Sequence, residues 1–120
     1  MAGDLTVLIT GGSGFIGSNF IHYLSGRRPD WRIINLDKLT YASNPDNLKG
    51  VDESPHYRSV QGDICDAALV DEVMAEADAV FNFAAETHVD RSLMDAGSFI
   101  LTDVLGPYVL LESARRHPNV

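Results

Sequence analysis

The sequence has one cysteine, Cys65, so no disulfide can form within it, and it has no Asn-x-Ser/Thr sequon. That excludes the stapled secreted scaffolds and makes the cytosol the expected location. Basic residues are scarce: Lys plus Arg number 9 against 17 Asp plus Glu, a formal charge of −8. No basic run exceeds Arg27-Arg28 or Arg115-Arg116, so neither nucleic acid nor an anionic membrane surface is an expected partner. Long apolar runs are missing too; stretches such as Ala79 to Ala85 fall far short of the ~20 residues that span a bilayer. Met1-Ala2-Gly3-Asp4 offers neither a basic n-region nor an apolar h-region, so no secretory signal is expected. The histidines, His22, His56, His88 and His117, are scattered, and no Cys or His pair has ligand-like spacing, so no metal is expected.

With 45% apolar and 22% charged residues in 120, the composition is that of one globular domain. Short β-rich apolar runs alternate with helical patterns, the signature of a parallel α/β sheet. Leu5 to Thr10 reads as a buried strand stopping at glycines. Phe15 to Leu24 follows as a helix with Ile16, Phe20 and Leu24 on one stripe, ended by Gly26 and Pro29. Arg32 to Asp37 and Tyr57 to Gln61 are the next strands, and Lys38 to His56 is a connection long enough to be functional or to contain short helix. Asp66 is a candidate N-cap for a helix from Ala67 to about Ala75, with Leu69, Val70, Val73 and Met74 inward. Ala79 to Phe83 has the apolar character of a central parallel strand. A last helix is expected from about Asp95 to His117, kinked at Pro107, which cannot donate to the carbonyl of Asp103. Two right-handed βαβ units give a doubly wound, Rossmann-type sheet of order 3-2-1-4.

The run Thr10-Gly11-Gly12-Ser13-Gly14-Phe15-Ile16-Gly17 joins strand one to helix one. It reads as Gly12-x-Gly14-x-x-Gly17 or Gly11-x-x-Gly14-x-x-Gly17, and either register suits a dinucleotide. An early glycine makes the turn, Gly14 admits a pyrophosphate and Gly17 lets helix and sheet approach. The helix start offers unpaired amides and a positive dipole end to the anion. A Walker A loop is excluded because Ser18, not lysine, follows Gly17. Asp37 ends strand two where a carboxylate can accept from ribose hydroxyls and repel a 2′-phosphate, favouring NAD over NADP. Lys38 beside it could soften that repulsion. Gly62-Asp63-Ile64 follows strand three, where a short acid could bond an adenine amino group. Ala84-Ala85 after strand four leaves room for ribose or nicotinamide. Thr87 to Arg91 is a polar cluster at the same opening.

Taken together, Thr10 to Gly17, Asp37 to Thr40, Gly62 to Ile64 and Ala84 to Ser92 resemble the extended short-chain dehydrogenase/reductase family. The runs Asp37-Lys38-Leu39-Thr40-Tyr41-Ala42 and Ala84-Ala85-Glu86-Thr87-His88-Val89-Asp90-Arg91-Ser92 are most similar to its nucleotide-sugar 4,6-dehydratases. The resemblance implies NAD as cofactor: Gly11, Gly14, Phe15, Ile16 and Gly17 along the pyrophosphate, Asp37, Lys38, Leu39 and Thr40 around the adenosine ribose, Asp63 and Ile64 at the adenine. It places Phe83, Ala84, Ala85, Glu86 and Thr87 on the nicotinamide side, with Thr102 coming up from the last helix and Thr87 also touching the nucleotide sugar. Asp103 and Pro107 depart from the asparagine and threonine that many relatives carry.

The implied reaction oxidises the sugar at C4, eliminates water across C5 and C6 and returns hydride to C6; dTDP-glucose is the implied substrate and a homodimer the implied assembly. Its proton-transfer residues, a Tyr-x-x-x-Lys pair and an Asp-Glu pair, are not found here. Tyr23, Tyr41, Tyr57 and Tyr108 are followed four positions on by Arg27, Pro45, Gln61 and Glu112. No catalytic residue is therefore expected in these 120 residues, which read as the N-terminal, cofactor-binding portion of such an enzyme, ending before a fifth strand. Two alternatives stand beside this: another nucleotide-sugar epimerase or dehydratase, and a non-catalytic NAD-binding module.

Overall fold

The computed structural model describes residues 5–38, 44–84 and 101–120. Four parallel strands, β1 (Thr6–Thr10), β2 (Arg32–Asp37), β3 (Tyr57–Gln61) and β4 (Ala79–Asn82), form one sheet in the order β3-β2-β1-β4. The strand order expected from the βαβ pattern is the one observed. Side chains alternate across a strand, and the sheet carries a core on each face. Val7, Ile9 and Ile33 pack with Ile21, Leu24 and Leu48 on one side. Leu8, Ile34 and Leu36 pack with Ile64, Val70, Val73, Met74, Val109 and Leu110 on the other. Although β4 is apolar enough for a central strand, it lies at the edge of the four described strands, and Phe81 is 39% exposed.

Helix α1 (Phe15–Arg27) buries Gly17, Ser18, Ile21 and Leu24, not the expected Ile16–Phe20–Leu24 stripe; Ile16 is 67% exposed. The reason is steric. A Cβ at Gly17 would sit 2.3 Å from the Gly11 carbonyl oxygen, so the helix start meets the turn only through its smallest side chains, and that contact sets the rotation of the helix. Phe20 lies on the flank, its ring centroid 4.8 Å from Phe81 and 5.4 Å from Phe83. Gly26 does not end α1 but sits in its last turn; Arg28 caps it, donating its N–H to the Leu24 carbonyl, and Pro29 follows.

Among the described residues of the β2–β3 connection lie two 3-10 turns, Pro45–Leu48 and Val51–Glu53. Helix α2 (Ala67–Met74) is capped as expected, the Asp66 carboxylate accepting from the Leu69 N–H. At the end of the chain a π-helical turn, Leu101–Leu105, gives way to α3 (Gly106–Arg116). The break falls at Pro107, which stands in the first turn of α3, where a missing N–H costs least. The part of the expected helix before Leu101 lies outside the described residues. Glycine at 106 lets α3 lie on Ile64, whose Cδ1 would be 2.1 Å from an added Cβ.

A polar latch joins α2 and α3. Ser113, fully buried, donates its hydroxyl to Asp71 Oδ1. Arg116 donates to the same oxygen at 2.8 Å, and His117 Nε2 lies 3.6 Å away. The Ser113 hydroxyl, then the Arg116 guanidinium, hold the Asp71 carboxyl below its ordinary range. A depressed folded-state value means this stabilisation is full above the unfolded carboxylate pKa and is lost as pH falls through the folded one. Asp71→Asn is therefore expected to lower the melting temperature at neutral pH and to flatten its decline between about pH 5 and pH 2. Parallel melting-temperature profiles for parent and variant would remove the latch.

Candidate dinucleotide site

The C-terminal ends of β1, β2 and β4 meet one loop, Gly11 to Gly14. Gly11 has φ +69°, where glycine is favoured, and a Cβ there would stand 2.6 Å from the Ala84 nitrogen. Its N–H donates to the Leu36 carbonyl at 2.9 Å, and the Phe83 N–H donates to the Thr10 carbonyl at 2.9 Å. The loop is thus wedged between the ends of β2 and β4. The Thr10 hydroxyl donates to Asn82 Oδ1, which also accepts from the Ala84 N–H at 3.2 Å.

Two side chains of β2 reach the loop from below. The Gly12 N–H donates to Asn35 Oδ1 at 2.9 Å, and the Ser13 N–H donates to Asp37 Oδ2 at 2.8 Å. Asn35 is fully buried and Asp37 is 5% exposed. From above, the Ser13 carbonyl accepts from the Asn44 N–H at 2.9 Å and from Asn47 Nδ2 at 3.1 Å. Motif reading by itself passed over Asn35, Asn44 and Asn47. The signal for Asn35 was visible, as a lone amide in the apolar run Ile33-Ile34-Asn35-Leu36. Asn44 and Asn47 carried none, because their role depends on where a long connection folds back.

Gly14 is the N-cap of α1, and no side chain caps the helix. No acid stands in its first turn, and Phe15 and Ile16 are 79% and 67% exposed. An open helix start of this kind attracts an anion through its free N–H groups and dipole. Gly14 itself has φ −77° and ψ 179°, extended backbone open to any residue, so its glycine is not demanded by chain geometry as that of Gly11 is.

Asp37 and Asp63 lie near each other at the ends of β2 and β3. The Gly62 N–H donates to the Asp37 carbonyl at 3.0 Å, which brings Asp63 to the end of β2. Asp63 Oδ1 accepts from the Cys65 N–H at 2.9 Å, and Lys38 Nζ lies 3.4 Å from its other oxygen. Burial alone would raise Asp63, but the Cys65 N–H and the Lys38 charge outweigh it and leave the carboxyl below its ordinary value. Lys38 is therefore engaged by Asp63. Ile64 is 3% exposed, its side chain in the core with Val70 and Val109. Phe83 brings its backbone to the site while its ring packs on Phe20. Leu39, Thr40, Ala85, Glu86, Thr87 and the side chain of Thr102 lie outside the described residues.

A family model described as GDP-mannose 4,6 dehydratase matches residues 8–120. The chain is 51% identical over 110 residues to the low-salt glycan biosynthesis protein Agl12 of Haloferax volcanii, covering 92% of this chain and 35% of that protein. It is 52% identical over 118 residues to the dTDP-glucose 4,6-dehydratase of Streptomyces antibioticus, covering 94% of this chain and 34% of that one. Among solved structures it superposes on DesIV of Streptomyces venezuelae, a dTDP-glucose 4,6-dehydratase crystallised with NAD bound, with a TM-score of 0.88 and 46% identity. That match covers 95% of this chain and 37% of the other. The chain thus spans about a third of the length of these relatives. Motif, topology and similarity agree: the chain belongs to the GDP-mannose 4,6 dehydratase family, within the extended short-chain dehydrogenases/reductases.

Proposed function

We propose that these residues form the NAD-binding portion of a cytoplasmic dTDP-glucose 4,6-dehydratase. The observation that carries the reading is the uncapped start of α1, held open beside a clamped glycine loop with Asp37 and Asp63 at the rim. Relatives of about 50% identity that bear that name support it, as does the NAD of the solved neighbours. The site fits such a cofactor. Gly14, Phe15 and Ile16 would hold the pyrophosphate at the helix start, where a glycine not required by its own backbone angles leaves room. Asp37, with Lys38, Leu39 and Thr40, would surround the adenosine ribose, and Asp63 and the Ile64 main chain would meet the adenine. Phe83, Ala84, Ala85, Glu86, Thr87 and Thr102 are the proposed nicotinamide side, with Thr87 also at the sugar nucleotide. The chemistry such a cofactor supplies is hydride acceptance from the sugar C4 and hydride return to C6. With no Tyr-x-x-x-Lys pair, these residues alone bind without turning over the sugar.

In this reading the Asp37 carboxylate would repel a 2′-phosphate, and Lys38, paired with Asp63 at 3.4 Å, is drawn away from offsetting it. Calorimetry is expected to show NAD binding more tightly than NADP, with the preference narrowed in Asp37→Ala. Tighter NADP binding by the parent would sink the assignment. The glycines separate by role. Gly17→Ala drives a Cβ against backbone and is expected to cost about 1–3 kcal/mol of stability. Gly14→Val is expected to leave the melting temperature nearly unchanged and to abolish NAD binding. A Gly14→Val chain that binds NAD like the parent would show that the phosphate does not lie there.

The proposed homodimer is supported by α3 and the turn before it. Val109 and Leu110 are buried at 9% and 5% and complete the core over α2. The exposed stripe is instead Val104, Tyr108 and Leu111, at 65%, 60% and 71%, flanked by Leu105 at 38%. Contiguous apolar surface of this kind favours association. Sedimentation is expected to show a concentration-dependent dimer, and Leu111→Glu a monomer. A parent that stays monomeric throughout would remove this face as the contact.

A further inference from the structure

Ser13 has each of its polar groups held: N–H by Asp37, carbonyl by Asn44 and Asn47, and hydroxyl accepting from Asn35 Nδ2 at 3.2 Å. It is 3% exposed, so its hydroxyl serves the loop's own architecture. Asn35 is the hub. The Gly12 N–H can only donate, so the amide oxygen must face it, and the orientation of the whole amide follows. Its two N–H groups then point at Ser13 Oγ and at Tyr57 Oη, the latter 3.0 Å away on β3. Contact is tight as well as polar, since a Cβ on Gly12 would lie 2.4 Å from Asn35 Oδ1. One buried side chain thus ties two adjacent loop residues to the third strand of the sheet.

We propose that Asn35, itself oriented by Tyr57, is the positioning residue for the diphosphate of the dinucleotide. A glycine-rich turn is entropically expensive to order, and a loop ordered only when its ligand arrives would subtract that cost from affinity. The Asn35 clamp meets the cost during folding, so the helix start is presented ready-made. Asn35 need not touch the ligand; it acts through Gly12 and Ser13. The proposal rests on the NAD reading of the site and extends it to residues outside the glycine motif.

Binding of NAD, ADP and adenosine to the 120-residue chain tests it, together with amide exchange at Gly12 in the ligand-free protein. Asn35→Leu, of similar volume, is expected to weaken NAD and ADP by about tenfold or more, because three hydrogen bonds go and a buried N–H is left unpaired. Tyr57→Phe, a milder change should Asn35→Leu not fold, is expected to weaken both by about two- to fivefold. Adenosine, which lacks the diphosphate, is expected to bind all three proteins alike, and Gly12 exchange is expected to quicken in both variants. Equal loss for adenosine and ADP would make Asn35 merely structural and overturn the proposal, as would diphosphate binding unchanged by both variants. A parent chain that binds neither NAD nor ADP would instead overturn the cofactor reading, and the positioning role with it.

Discussion

A turn containing three glycines in four residues has too much conformational freedom to hold one shape by itself, and in this protein β2 supplies what it lacks. Asn35 and Asp37 lie two apart, on one face of the strand, and each takes an N–H of the loop. The β1–β2 register makes this possible: Ile9 pairs with Asn35 and Thr10 with Leu36, so β2 runs one residue past the end of β1, just where the loop begins. Asp37 then pairs with Gln61 on β3, and Gly62 bonds back to it. The position of Asp63 at the rim follows from the same register.

That arrangement has an electrostatic consequence. The site that invites an anion is bordered by two carboxylates in a chain of charge −8, yet both are occupied locally. Asp37 accepts from Ser13, and Asp63 accepts from Cys65 and attracts Lys38. The α1 start, free of acid, is left as the attractive point. Under the proposed NAD reading, discrimination against a 2′-phosphate and acceptance of a pyrophosphate can therefore sit a few residues apart without cancelling.

Packing on the two faces of the sheet obeys a shared rule, that close approach goes to the smallest side chains. Gly17 and Ser18 bring α1 against the loop and leave Ile16 outside. Gly106 seats α3 on Ile64. On α1 the apolar stripe through Ile16 points to another face, and steric fit decides otherwise. On α3 Val109 and Leu110 turn inward, as their helical spacing expects, and Tyr108 and Leu111 stay in solvent.

Local pattern was sufficient for the strands, the Asp66 cap, the strand order and the glycine loop, because each depends on neighbours in sequence or on the fixed handedness of βαβ units. The family followed from motifs for the same reason. Two things were decided only by tertiary structure. The rotation of α1 was set by a backbone clash at Gly17. The importance of Asn35 came from contacts to Gly12, Ser13 and Tyr57, which lie 22 or 23 positions away along the chain. A periodicity reports which side chains share a face, but which face wins, and what a buried amide holds, depend on partners that only folding brings within reach.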